Sequence, residues 1–425
     1  MANRTDIVVI GGGAVGLCCA LELARSGRSV RLLSRDAIGV SCSLGNSGLV
    51  LTSVCGPLAE PGAIAQALRT TRDPDGASRI RPRLDLRFAR WAWRFSRCCT
   101  REAWKAGLIY TRDLIRAGRP LFEQLAAEAS FGYRQAGVLA LYRSEEALMA
   151  KVPSAKVLGE LDIVAQLVDR AGAAKLEPLV TSSVAGGFFY PEDAHLNPGQ
   201  FLDEMARLAR QAGVQIETGA EVTALTTSGS RVSHVEATTG TYAADLVVLA
   251  AGAWSPEITR KLRLPLLIEP GKGYSLTRTD GEGGLSRPLR LGEVRTVVTP
   301  MGGHLRVTGK LDFVGLNLNL EPDRYQRIPA LARQYVKLDG DFGAVSPWCG
   351  LRPLTPDGYP LLGIHSAAKN LIVATGHGYL GLVLSTITGR IVTRLAAGED
   401  PGFDLTPMQP DRFERSARSA RRIVP

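Results

Sequence analysis

The chain has 425 residues, 45% of them hydrophobic and 22% charged, which is enough for about two domains with substantial cores. Its 51 basic and 41 acidic residues leave a formal net charge of +10, dispersed and without interleaved aromatics; this argues against a nucleic-acid partner and leaves anionic small molecules or an anionic membrane surface. The seven cysteines form no CxxC and are odd in number, which excludes a disulfide framework, and the five histidines show no metal-ligand spacing, so no metal site is expected.

In chain order, Asp6–Ile10 is a continuous apolar run suited to a parallel strand buried on both faces. No leader fits before it and no apolar run reaches the roughly 20 residues of a membrane span, which predicts a cytosolic chain that touches a membrane only at its surface. Leu17, Leu21 and Ala24 fall at helical spacing, Gly27 stops that helix, and Val30–Leu33 is the return strand. From Leu84 to Glu128 the pattern is helical and aromatic, and Trp91, Trp93, Phe95 and Trp104 read as core packing in preference to a membrane-facing stripe. A strand is predicted over Gly137–Tyr142. Asn197–Pro198 then open a helix that Gly213 ends, followed by two short strands.

"YAADLVVLAAGAWS" closes a further buried strand on small residues, and alternating stretches between Ile268 and Val345 predict an antiparallel sheet. Last comes "NLIVATGHGYLGLVLSTITGRIVTRLAAG", again strand, glycine turn and long helix, before a basic tail that reads as a solvated helix end.

Gly11, Gly13 and Gly16 give GxGxxG directly after a strand and opening a helix. The first permits the tight turn, the second lets a pyrophosphate approach the backbone, and the third lets helix and strand pack closely, with Ala14 and Val15 between them supplying helix-start N–H groups. An acid about 20 residues onward normally holds the ribose. That position is Ser34, followed by Arg35, a pair that also suits the 2′-phosphate of NADP. The remainder of the chain decides for FAD, because it returns twice to the same architecture. Ala251 and Gly252 end a strand where backbone must pass close to a ligand, and Gly376, His377, Gly378 and Gly381 form a second turn leading into a helix. The expected fold class is α/β: a Rossmann-like FAD-binding domain from segments 1–80, 184–262 and 344–425, and an inserted α+β substrate domain, 81–183 and 263–343, carrying the antiparallel sheet.

The stretches "VVIGGGAVGL", "SCSLGNSGLV", "RPRLDLRFARWAWRF", "DAHLNPGQF", "VVLAAGAWS", "GKGYSLT", "WCGLRPLTPDGYPLLG" and "LIVATGHGYLGL" span nearly the whole chain. Together they resemble the FAD-dependent oxidoreductases of the D-amino acid oxidase superfamily, most closely the bacterial D-amino acid dehydrogenases. The family usually carries Glu where this chain has Ser34. The resemblance implies noncovalent FAD, with Ser41, Ser43, Asn46 and Gly48 in the loop against the flavin and Val222 at the adenine side. Cys42 is not expected to attach it. It further implies that Arg352 clamps the substrate carboxylate, that Tyr274 offers a hydroxyl near the carboxylate or amine unless it is a packed core tyrosine, and that His377 contacts flavin or stabilises its turn rather than acting as a base. The implied substrates are D-amino acids or cyclic D-imino acids such as D-proline and D-hydroxyproline, with glycine or sarcosine oxidation and an FAD-bearing subunit of a heteromeric dehydrogenase as alternatives. Electrons would pass to a quinone or respiratory acceptor, with peripheral membrane contact.

Overall fold

The computed structural model describes residues 3–53, 55–71, 73, 75–262 and 264–414; most of the basic tail, 415–425, lies outside the described residues. The strand Asn3–Ile10 pairs in parallel with Val30–Ser34 on one side and Gly240–Leu249 on the other. Gln215–Thr218 extends this row beyond Val30–Ser34, and Ala368–Thr375 extends it beyond Gly240–Leu249. Alternation is visible in the burial: Ile7 and Val9 enter one core while Val8 and Ile10 enter the other. Both faces are therefore covered, as a parallel sheet requires.

On the first face the helix Ala14–Arg25 packs against Ser385–Ala397 and Pro198–Gln211. A Cβ at Gly389 would stand 2.8 Å from the Cys18 carbonyl oxygen, so those two helices touch backbone to backbone and Cys18 and Cys19 are packing residues. Pro198–Gln211 is opened as expected by Asn197, whose side chain accepts from the Gly199 and Gln200 N–H groups. The hairpin Val222–Ser228 and Arg231–Ala237 continues the sheet beyond Gly240–Leu249.

The second sheet runs Pro347–Leu354, Glu269–Arg278, Leu305–Phe313, Thr296–Pro300, Leu289–Leu291, Val138–Tyr142, Gly186–Tyr190 and Gln166–Asp169, with Ser78–Ile80 added beside Leu305–Phe313. The antiparallel stretches predicted between 268 and 345 form its centre. The expected domain boundaries need correction here. Ser78–Ile80, Gly186–Tyr190 and Pro347–Leu354 were placed in the nucleotide domain but pair in the second sheet, because backbone hydrogen bonding joins them to its strands. Conversely, the helix Arg101–Glu128 packs on the nucleotide side: Leu108, Leu114, Ile115, Phe122 and Leu125 are buried there, and Thr386 donates to the Gly118 carbonyl. Trp91 is core, stacked on Phe95, whereas Trp93 is exposed.

A buried ionic cluster ties the edge pieces to the second sheet. Asp312 accepts from Arg324 Nε at 3.0 Å and Nη2 at 2.6 Å, and from Arg79 at 3.3 Å. With the Asp312 and Arg324 side chains 0% and 2% exposed, removing the carboxylate takes an ionic partner from a buried guanidinium. Asp312→Ala should lower stability by about 3–5 kcal/mol, read as a lower urea midpoint. A loss within the roughly 1 kcal/mol typical of surface pairs would show that the cluster contributes little.

Candidate active site

The two sheets enclose a cavity of about 910 Å³. At its nucleotide end, Gly11 (φ 116°) turns the chain so closely under Ala250 that a Cβ would lie 2.4 Å from the Ala250 carbonyl oxygen. A Cβ on Gly16 would lie 1.9 Å from the Gly11 oxygen, so Gly16 works in packing and does not itself line the cavity. Gly11, Gly13, Ala14 and Val15 do line it, with Gly13, which has no side chain to cap with, as the N-cap of the first helix. Exposed N–H groups there suit a pyrophosphate.

Ser34 and Arg35 also line the cavity, beside Val222, Ala251 and Gly252. The Ser34 hydroxyl donates to the Asp36 carbonyl at 2.7 Å. Arg35 pairs with the Asp36 carboxylate at 2.9 Å and lies 4.4 Å over the Trp254 ring. Its charge is thus already partnered, which weakens the case for a 2′-phosphate. Asp36, two positions after Ser34, also lines the cavity, so an acid lies just beyond the spacing of about 20 residues that points to Ser34.

The loop carrying Ser41, Ser43 and Asn46 docks on the first helix, where Ser43 Oγ accepts from the Ala14 N–H at 3.1 Å. Asn46 accepts from the Gly48 N–H at 2.9 Å; Gly48 shapes the turn and packs on the Leu196 carbonyl without lining the cavity. Arg306 holds this loop from the second sheet, donating to the Leu44 and Asn46 carbonyls at 2.5 and 2.7 Å. Burial pulls its guanidinium down to about 10. The alternation in "LRVTGK" already places Arg306 and Thr308 on one face of the strand. Cys42 donates to the Leu351 carbonyl, and burial raises its thiol to about 11, leaving it protonated and a poor nucleophile.

Across the cavity, the Arg352 guanidinium lies over Gly273: a Cβ there would stand 2.1 Å from Nη1. Nη1 donates to the Lys310 carbonyl at 3.2 Å, and no carboxylate pairs with Arg352 among the described residues. Lys310 adopts φ 66° at a bulge opposite Lys272–Tyr274, which turns its carbonyl toward the arginine's side of the sheet. Tyr274 is not brought to the site. It is fully buried on the opposite face from Gly273 and donates to Asp312, because strand alternation turns it into the ionic cluster.

The turn after Ala368–Thr375 brings His377, Gly378, Tyr379 and Gly381 to the cavity. Gly376 does not line it; a Cβ there would meet Thr355 Cγ2 at 2.8 Å. The expected position of these glycines at a helix start is corrected, since the helix begins only at Ser385 after an intervening turn at 380–384. His377 Nε2 shares a 3.0 Å hydrogen bond with Thr388, and burial pulls its pKa down to about 4. The imidazole is neutral near pH 7 and tied to the turn.

Residues 6–395 match the family described as FAD dependent oxidoreductase. The chain belongs to that family. A D-amino acid dehydrogenase of Cereibacter sphaeroides is 33% identical over 430 residues, covering 99% of this chain and 98% of the relative, and one from Granulibacter bethesdensis is 29% identical over 94% of this chain and 97% of the relative. Among solved structures, glycine oxidase from Geobacillus kaustophilus matches with a TM-score of 0.76 at 22% identity, covering 96% of this chain and 99% of that one, and so supports the fold. The glycine turn at Gly11, the Gly13 N-cap and the cavity of about 910 Å³ fit the dinucleotide of this FAD dependent oxidoreductase.

Two buried histidines give the stability a pH signature. Burial lowers both His195 and His377 to about 4, against 6.5 for the free side chain. Below pH 6.5 the unfolded chain takes up protons that the folded chain refuses, so stability is full above that pH and is lost as pH falls towards 4. Each histidine contributes on the order of 3 kcal/mol across that window. Thermal unfolding from pH 7.5 to 4.5 should show the decline, and His377→Gln should reduce it. An equally steep decline in the variant would remove His377 from the account.

Proposed function

We propose that the protein is a D-amino acid dehydrogenase that oxidises D-amino acids or cyclic D-imino acids of the D-proline and D-hydroxyproline type. The observation that carries this reading is Arg352, a guanidinium facing the cavity without a carboxylate of its own. Burial lowers its pKa, so its charge is held at a desolvation cost that an incoming carboxylate offsets. A planar guanidinium accepts a carboxylate through two parallel hydrogen bonds, which orients the substrate as well as binding it.

FAD, when bound, supplies the acceptor for the hydride that leaves the substrate α-carbon, and the resulting imine is hydrolysed by water to an oxo acid. Gly11, Gly13, Ala14 and Val15 would hold its pyrophosphate, Ser34, Asp36 and Val222 its adenosine side, and the 41–46 loop and the 377–381 turn its ring. Arg306 keeps that loop in place. His377 is no base in this scheme, being neutral and engaged with Thr388. The proton on the substrate amine is therefore lost to solvent before hydride leaves. Arg352 fixes the carboxylate, so only one enantiomer can turn its α-hydrogen towards the flavin.

Arg352→Met should lower kcat/KM for D-amino acids by roughly two to four decades, the scale of a broken buried ion pair. Arg352→Lys should recover only part of that, because an ammonium lacks the paired donors. Both variants should remain yellow. Anaerobic flavin bleaching against substrate concentration measures this; near-normal efficiency in Arg352→Met removes the residue from the site, and faster bleaching by L-amino acids removes the D assignment.

The family's reaction needs an electron acceptor, and we propose a respiratory one met at a membrane surface. No helix among the described residues is long and apolar enough to cross a membrane. The helix Leu86–Cys98 instead turns Leu86 and Trp93 outward, 89% and 58% exposed, beside the exposed Arg90 and Arg97. Apolar side chains flanked by arginines suit an anionic bilayer. The protein should cosediment with vesicles containing phosphatidylglycerol, and Leu86→Ser/Trp93→Ser should weaken this several-fold. Equal sedimentation of both proteins rejects this face.

A further inference from the structure

The cavity contains a second guanidinium without a counter-ion. Arg290, on the strand Leu289–Leu291, lines it and has no hydrogen-bond or ion-pair partner among the described residues. Nearby groups do not neutralise it. Asp193 feels the Arg290 charge only at longer range: it is fully buried, its oxygens receive the Thr52 and Ser53 amides and hydroxyls, and it forms no ion pair with Arg290 among the described residues. Tyr142, Tyr190 and Tyr379 also sense the Arg290 charge, but burial raises all three phenols, so they stay neutral. Arg295, the other cation at this end, is taken by Glu60 at 3.3 Å and Gln66 at 2.5 Å.

Register shows where Arg290 stands relative to Arg352. Arg290 is opposite Val297, and Val297 is opposite Thr308; directly opposed residues share a face, and all three line the cavity. The Arg352 guanidinium reaches the Lys310 carbonyl on the same strand as Thr308. Both cations therefore lie on one face of one sheet. Two strand spacings, about 10 Å, and a two-residue step of about 6–7 Å along the strand separate Arg290 from the Lys310 carbonyl. That gap, shortened by the reach of the Arg290 side chain, matches an amino acid of four or five carbons held by a carboxylate at each end.

We propose that Arg290 binds a second, side-chain carboxylate and makes the enzyme selective for dicarboxylic D-amino acids. This rests on the reading of Arg352 as the α-carboxylate clamp. A half-buried guanidinium facing an enclosed space without a partner is an unsatisfied charge, and an anionic side chain satisfies it where a neutral one leaves it stranded. Val297, between the two cations, would pack on the methylenes.

The test compares D-glutamate with D-glutamine and D-aspartate with D-asparagine, pairs of nearly equal shape that differ in charge, by anaerobic flavin bleaching. The wild-type protein should favour the acid of at least one pair by about tenfold or more in reduction rate over Kd, the scale of one charged hydrogen-bonded contact. Arg290→Gln should cut the acid-to-amide ratio by about ten- to a hundredfold, and Arg290→Lys should keep part of it. A wild-type ratio near or below one for both pairs, or an unchanged ratio in Arg290→Gln, overturns the proposal. Should no D-amino acid bleach the flavin, the functional reading fails, and glutarate against glutaramate still judges the site through their perturbation of the flavin spectrum. Tighter glutarate binding lost in Arg290→Gln supports the second anion site; equal binding of the two rejects it. Retained yellow colour and a thermal midpoint no lower than that of the wild type in both variants show that selectivity, not folding, is being read.

Discussion

Arg306 joins the two halves of the molecule above the cavity. Its stem lies on the second sheet, Nε donates to Thr277 at 2.8 Å, and Nη1 reaches two carbonyls of the loop that docks on the first helix. The nucleotide turn, that loop and the substrate sheet are thus fixed relative to one another through one buried side chain and the Ser43–Ala14 hydrogen bond. A guanidinium satisfied only by neutral acceptors keeps its charge uncancelled, and burial already lowers its pKa. The joint therefore adds positive potential beside the loop expected against the flavin ring. A site for anionic substrates gains from such a joint what a neutral one could not provide.

The nucleotide half was readable because its constraints are local. A glycine that must sit under Ala250, a glycine at the helix N-cap and a strand buried on both faces each leave a mark within a few residues. The substrate half depends on pairing between distant strands, and there the reading was coarser. A tyrosine in an alternating strand can face either way, so "GKGYSLT" leaves Tyr274 open between the site and a packed core. The deciding residue was its neighbour Gly273, whose missing side chain makes room for Arg352. Pro347–Leu354 likewise looked like part of the nucleotide segment that follows it, while its eight-residue pairing with Glu269–Arg278 belongs to the other sheet. Arg290 lay in the unremarkable "PLRLGE", and only the register across Val297 and Thr308 brings it to the cavity.

The +10 charge acquires a meaning once the acids are located. Asp312 is held by Arg324 and Arg79, Glu321 by Lys272 and Arg79, and Asp193 by the Thr52–Ser53 segment. Each of these carboxylates is bound into structure, and none forms an ion pair with Arg352 or Arg290 among the described residues. Arg352 is left with a single carbonyl and Arg290 with no partner among the described residues. Such charges reduce stability in the empty protein, since a desolvated cation without a counter-ion is worse placed than one in water. Their persistence on rigid strands means that the cost of orienting and desolvating them is met on folding, before a ligand arrives. An anionic substrate then loses its own hydration but meets donors that need no rearrangement, the condition under which electrostatic complementarity favours binding and orientation together.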